Sequence, residues 1–255
     1  MNLKELKAGW QAAERRAKIK GWDFSEIEGK WQDGDTLLPW DFEKIVQQYR
    51  HDEMRLLDMD TGGGEFLLSL KHPPEMTAAT EGWAPNVRLC EERLLPLGID
   101  FREMTDESAM PFDDESFDII LNRHGSYDVK ELWRVLKPGG VFLTQQVGAE
   151  NDRELVLRLL PDAEMPFPEQ YPDIQLARFR EAGFEILASD EAYRPIRFFD
   201  TAALIWFAKV IVWEFDGFSV DRCFPQLVKT EAEIREKGFV CGKIHRYYFI
   251  ARKPE

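Results

Sequence analysis

The sequence predicts an open, mostly parallel α/β sheet of about seven strands, with helices packed on both faces. Three observations carry that expectation. Short apolar runs alternate with helical periodicity between residues 54 and 147, as strand–helix–strand units with right-handed crossovers require. A glycine cluster at 62–64 joins the first run to the first helical stretch. The run FDIIL at 117–121 is continuously apolar, as a strand covered on both faces should be.

The elements follow in order. Residues 3–17 place Leu3, Leu6, Trp10, Ala13 and Ala17 on one helical face. Residues 21–40 are rich in Gly, Asp and Trp and read as loop and turns. Their aromatics, Trp22, Phe24, Trp31 and Trp40, either bury the segment against the core or line a pocket. Residues 41–50 read as a helix. Strands are expected at 54–59, 76–80, 99–104, 117–121 and 141–146. Helices are expected from 65, over 85–95 with Gly98 as the stop, and over 129–136, ended by a turn from Lys137 to Gly140. Beyond 147 the rhythm loosens. Helices are expected at 153–160, 173–182, 201–213 and 221–237, and strands at 184–188 and 240–252.

Composition narrows the function. The chain has 255 residues, with 33 Lys and Arg against 47 Asp and Glu, and a net charge of −14. Apolar residues make up 44%, enough to build a core rather than a disordered chain. So acidic a protein is a poor binder of phosphate backbones or anionic membranes. One local exception is the first 20 residues, with six bases and two acids. The three cysteines, Cys90, Cys223 and Cys241, form no CxxC pair. Neither a disulfide framework nor a zinc site is therefore expected, and a cytoplasmic location is. No metal-ligand spacing is present, so no metal is expected. The apolar stretch at 198–215 carries Asp200, Lys209 and Glu214, which makes it a buried or capping helix and not a membrane span.

In an open α/β sheet, ligands bind beyond the carboxyl ends of the strands. The residues found there are Asp58, Asp60, Gly62 and Gly64 after the first strand, and Glu81 after the second. Asp106 and Glu107 follow the third, Asn122, Arg123 and His124 the fourth, and Gln145 and Gln146 the fifth. A nicotinamide fingerprint needs a third glycine three positions after Gly64, where Leu67 stands. No GxxxxGK[ST] loop is present either.

LLDMDTGGGE, the acid after the second strand, the Asp-rich turn after the third, MPFDDESFDIIL and ELWRVLKPGGVFLT together resemble the class I S-adenosylmethionine-dependent methyltransferases. The resemblance covers residues 54–147. With LPWDF, ATEGWAPNV, NRH and TQQVG it is similar to a bacterial "type 11" subgroup. It implies a Rossmann-like sheet with an antiparallel last strand, and S-adenosylmethionine as cofactor. It also implies a helical, aromatic cap segment at 1–50 and a methyltransferase domain at 51–255, with cap insertions near 149–172 and 200–238.

By that resemblance, Asp58 would reach the methionine ammonium, and Gly62 and Gly64 would let the backbone approach the cofactor. Glu81 would accept both ribose hydroxyls, Asp106 would bond the adenine amino group with Glu107 beside it, and Asn122 would lie by the methionine part. Asp60 departs from the family, whose first turn glycine it replaces. Its side chain either crowds the cofactor or faces the sulfonium. His124, with Tyr127 three positions on, is the candidate general base, or else His124 caps the following helix. Arg123 would bind an anionic acceptor or pair with a nearby acid. Trp40, Gln145, Gln146 and the helix at 201–213 would wall the acceptor pocket, whose polar groups would be Arg123, His124, Tyr127 and Gln146. The function implied is methyl transfer to a small-molecule acceptor, with no nucleic acid or membrane partner and no signal for oligomeric state. An RNA or protein methyltransferase, favoured by the basic start of the chain, is one alternative. A cofactor-binding but catalytically silent protein, favoured by Asp60, is the other.

Overall fold

The computed structural model describes residues 2–19, 23–33 and 37–255. Among these, eight strands pair in the order β1-β7-β8-β6-β5-β2-β3-β4. They are β1 (Trp31–Asp33), β2 (Leu56–Met59), β3 (Thr77–Glu81), β4 (Asp100–Glu103), β5 (Phe117–Arg123), β6 (Leu136–Val147), β7 (Glu185–Phe198) and β8 (Val240–Arg252). β4, β3, β2, β5 and β6 run parallel, and β8 lies antiparallel to β6. The chain divides into two compact units, one of residues 1–38, 149–168 and 193–245, the other of 39–148, 169–192 and 246–255.

The second unit holds the parallel strands. Its helices are α2 (Phe42–Tyr49), α3 (Glu65–Ser69), α4 (Ala84–Arg93), α5 (Val129–Val135) and α7 (Pro172–Glu181). Side chains alternate across each strand, and the two faces build separate cores. Leu57, Met59, Ile120 and Phe142 meet α5 and α7 through Leu132, Val135, Leu176 and Phe179. Leu56, Ile119, Leu121 and Leu143 meet α2, α3 and α4 through Val46, Leu67, Cys90 and Leu94. Two helix starts here are capped by aspartates. Asp41 accepts from the Lys44 amide, and Asp128 accepts from those of Lys130 and Glu131. Each cap satisfies amides of the first helical turn that have no partner within the helix.

The first unit contains α1 (Leu3–Arg16), α6 (Arg153–Leu159), α8 (Thr201–Val210) and α9 (Phe224–Lys237). Its core gathers Trp10 of α1, Leu155 of α6, Leu204, Trp206 and Phe207 of α8, and Leu227 of α9. α8 is apolar because it is a core element of this unit, with eight of its ten residues buried. Lys7 of α1 pairs with Asp221 at 2.7 Å and lies over the Phe224 ring. Part of the basic start of the chain is therefore matched by acid within its own unit. No helix among the described residues is long and apolar enough to cross a membrane.

Several expectations need correction. The segment 21–40 is not all loop, because Trp31, Gln32 and Asp33 form a strand against Phe198, Arg197 and Ile196 of β7. β7 runs ten residues past the expected end at 188. The turn from Lys137 to Gly140 lies inside β6, with Gly139 at φ +78 relieving the local bend. α8 stops at Val210 and α9 begins at Phe224. Trp22 falls outside the described residues.

Candidate active site

The carboxyl ends of β2, β3 and β4 bring four acids, Asp58, Asp60, Glu81 and Glu107, together around Asp60. Asp58, the third residue of β2, is 3% exposed and accepts a hydrogen bond from Thr61 Oγ at 2.6 Å. Burial pushes its pKa up to about 6, against the opposing effects of Thr61 and the Arg123 guanidinium. Asp60 follows β2 with φ +52, a left-handed conformation that aspartate tolerates better than most residues. Burial, then repulsion from Glu81, Glu107 and Asp58, pushes its pKa up to about 7, although the Ser126 amide donates to it.

Room for the Asp60 side chain comes from the opposite loop. A Cβ placed on Gly125 would collide with the Asp60 carboxylate. Asp60 thus fills the space between the turn after β2 and the loop after β5. The turn itself continues through Gly62 at φ +65 and Gly64 at φ +79. A side chain at Gly62 would meet nothing within 4 Å, so this glycine is needed for its φ and leaves open space above it.

Glu81 ends β3 and is 6% exposed. Its Oε2 accepts from the Gly62 amide at 2.8 Å and from Asn86 Nδ2 at 3.2 Å. Its Oε1 accepts from the Gly82 and Trp83 amides, each at 2.9 Å. The expected ribose acceptor is therefore also the clamp that joins the two loops. Asp106 is exposed and folds back on Ser108, accepting from its amide at 2.9 Å and its hydroxyl at 2.6 Å. These bonds hold its pKa below the ordinary value. Glu107 is half-buried and acts on Asp60.

The ends of β5 and β6 carry two polar sets on opposite faces. On the face of α5 and α7, Asn122 is fully buried and its Oδ1 accepts from Gln146 Nε2 at 2.6 Å. Gln146 also donates to the Gly125 carbonyl at 3.1 Å and to Thr144 Oγ at 2.8 Å. On the face of α2 and α3, Arg123 lies over the Phe66 ring at 4.3 Å. Desolvation lowers its pKa, and Asp58 and Glu43 counter that. Trp40 Nε1 donates to Gln145 Oε1 at 2.8 Å, and the Trp40 ring packs 5.0 Å from that of Tyr248. Gln145 Nε2 in turn stands 3.4 Å from His124 Nε2.

This arrangement revises the expected acceptor wall. Gln145 and Gln146 do not line one surface, because neighbouring strand residues face opposite ways. Gln146 is spent on buried partners. His124 does not cap α5, since Asp128 does. Tyr127 does not join His124. Its ring packs edge-on to Phe142 and Phe179, and its hydroxyl donates to Gln175 Oε1 at 3.1 Å. Burial raises the Tyr127 pKa well above the usual phenol range. His124 reaches solvent and has φ +62. Its ring is desolvated by packed neighbours and stands near Arg246 and Arg123, all of which lower its pKa. It is a weak base.

Sequence reasoning missed Gly125, Ser126, Asn86 and Arg246. Gly125 directly follows NRH and was open to notice. Arg246 is visible only through the register, in which it pairs with Val147. Among the described residues, no group of three or more His, Cys, Asp or Glu is arranged to hold a metal ion.

Residues 57–144 match the family model described as a methyltransferase domain. Over 98 residues the chain is 38% identical to the phthiotriol/phenolphthiotriol dimycocerosates methyltransferase of Mycobacterium tuberculosis, covering 36% of this chain and 36% of that protein. Over 136 residues it is 29% identical to the fatty-acid O-methyltransferase of Mycolicibacterium smegmatis, covering 50% of this chain and 49% of that protein. The chain thus matches about a third to a half of the length of these curated relatives. Its fold is similar to that of a SAM-dependent methyltransferase from Aquifex aeolicus, with a TM-score of 0.50 and 17% identity over 92% of this chain and 100% of the other. The matched residues 57–144 contain the glycine turn and the strand-end acids Asp58 and Glu81, so the likeness to methyltransferase domains lies in the part of the chain that builds the site.

Proposed function

We propose that this protein binds S-adenosylmethionine at the ends of β2 and β3 and transfers its methyl group to a small-molecule acceptor. The observation that carries this reading is the crowding of Asp58, Asp60, Glu81 and Glu107. Burial first, and then mutual repulsion, raises the pKa of Asp58 to about 6 and that of Asp60 to about 7. A cationic ligand relieves that repulsion, and the cofactor carries a sulfonium and an ammonium. The positive-φ glycines and the open space above Gly62 fit a ligand lying along the backbone. Asp58 and Asp60 would hold the cationic end, and Glu81 and Asp106 the ribose and adenine. Asn122 would support the methionine side from beneath.

When bound, the cofactor supplies an electrophilic methyl group. The chain's own residues need only orient the acceptor and exclude water. A small acceptor is supported by the acidic surface and by the lipid-modifying names of the curated relatives. The ion pair of Lys7 with Asp221 weakens the case for nucleic acid. Asp60 is the observation that favours a silent cofactor binder.

Thermal-shift and calorimetric titration with S-adenosylmethionine test the binding step, because a ligand that binds the folded state raises its stability. A dissociation constant in the micromolar range supports the reading, and no binding at millimolar cofactor overturns it. Transfer of labelled methyl to octanoate, 1-octanol or a phenol then separates an enzyme from a silent binder.

A further inference from the structure

β5, β6 and β8 present a second chemical face, separate from the acids of β2 and β3. Arg123 ends β5, beside Gln145 of β6, which pairs with Tyr248 of β8. Two residues along, Val147 pairs with Arg246. Because strand side chains alternate, Arg123, Gln145, Tyr248 and Arg246 project from the same face of the sheet. Trp40, Phe66 and Tyr248 provide the aromatic ground beneath them.

The hydrogen bonds fix which proton His124 offers. An indole N–H can only donate, so the atom of Gln145 facing Trp40 must be its carbonyl oxygen. The amide nitrogen of Gln145 then faces His124 Nε2 and donates to it. The remaining proton of the neutral ring sits on Nδ1, which is left as a donor. Arg123 and Arg246 both act electrostatically on this ring. Acids act on the face as well, with Glu43 and Asp58 acting on Arg123 and Asp190 on Tyr248.

We propose that Arg123, His124 and Arg246 form an anion site that selects an acceptor bearing a carboxylate, with its apolar body on Trp40, Phe66 and Tyr248. This rests on the methyltransferase reading above. A guanidinium fork matches a carboxylate in geometry as well as charge. The chemistry agrees with the surroundings of His124. A carboxylate oxygen bonds to the methyl carbon, the carbon–sulfur bond breaks and its electron pair stays on sulfur. A methyl ester and a neutral thioether result, and no proton moves. Such a reaction needs no general base, so the weakened basicity of His124 costs it nothing.

The test is calorimetric titration of the full chain with octanoate, 1-octanol and octyl phosphate, with and without S-adenosylhomocysteine. Octanoate is expected to bind about tenfold to a hundredfold more tightly than 1-octanol, the effect of a charge-assisted contact. Arg246→Gln should remove that preference and leave S-adenosylhomocysteine affinity unchanged, while Arg246→Lys restores part of it. If Arg246→Gln fails to fold by circular dichroism, Arg123→Gln reads the same preference. Equal affinity for octanoate and 1-octanol, or tighter binding of octyl phosphate, overturns the proposal. Failure of S-adenosylhomocysteine to bind while octanoate still binds would instead overturn the methyltransferase reading and leave the anion site standing.

Discussion

Asp60→Gly should stabilise this protein, and more so at alkaline than at acidic pH. Two backbone effects oppose each other. Relieving a non-glycine residue at φ +52 gains on the order of 1 kcal/mol. The extra freedom of glycine in the unfolded chain takes back about 0.5–1 kcal/mol. The charge decides the sign. Folding raises the Asp60 pKa from 3.8 to about 7, so the native state holds a proton that the unfolded chain releases. The resulting penalty is absent below the unfolded pKa, grows as pH rises, and is complete above the folded pKa. At about 1.4 kcal/mol per decade of acidity, it reaches about 2 kcal/mol at pH 5 and about 4 kcal/mol at pH 8 as upper bounds. Partial solvent access, and loss of the Ser126 amide's acceptor, shrink both values. Urea unfolding of the two proteins should therefore give a stability gain about 1–2 kcal/mol larger near pH 8 than near pH 5. An equal gain at both pH values, or a loss at pH 8, would refute the claim that Asp60 is a buried, repelled acid.

Other expectations follow from the same geometry. S-adenosylmethionine affinity should rise as pH increases through about 6 to about 7, where Asp58 and Asp60 ionise; calorimetry across that range checks it, and a flat profile counts against both residues. Glu81→Ala strands the Gly62, Gly82 and Trp83 amides, so it should lower the melting temperature and weaken cofactor affinity by about 10²-fold or more. Affinity within threefold of the parent would remove Glu81 from the ribose. His124→Asn should keep turnover within about tenfold of the parent, because a lost general base would cost about 10²–10⁴-fold; steady-state kinetics decide between them. Bulk RNA should bind no tighter than micromolar at about 150 mM salt, by filter binding, and nanomolar binding would restore the nucleic-acid reading.

The two strands that carry the site's acids were legible because burial on both faces keeps Lys and Arg out of them and confines Asp58 and Glu81 to their carboxyl ends. β2 and β3 are buried at every residue, and their ends fall where the sequence turns to acid and glycine. β1 and the second half of β7 were not legible. β1 has three residues, two of them exposed, and β7 carries Asp190, Glu191, Arg194 and Pro195 along a mostly half-exposed strand. Such a segment is a strand because of its partner and not because of its own pattern. The Lys137 to Gly140 segment misled in the opposite direction. Its Pro and Gly read as a turn, while neighbouring strands draw it into β6.

Within the site, topology alone sends Asp58, Glu81 and Arg123 to the carboxyl edge, so their chemistry could be inferred without coordinates. Which of their neighbours share a face could not, because that depends on register. One residue of register separates Gln145, on the outer network with Trp40 and His124, from Gln146, tied up beneath with Asn122. Asp60 and Gly125 make the same point. The side chain gained at one loop is accommodated by the one missing at the other, so a departure from the family pattern at Asp60 is compensated 65 positions away. The sheet edge then carries acids after β2 and β3, and bases at the end of β5 and in β8 beside the end of β6. A cationic donor and an anionic acceptor would each find its complement there, and their mutual attraction would oppose the desolvation that brings them together. Charge reversal at Arg246 is the sharpest probe of that pairing. Arg246→Glu should reverse the preference between octanoate and 1-octanol, and should do so more strongly at low salt than at high salt.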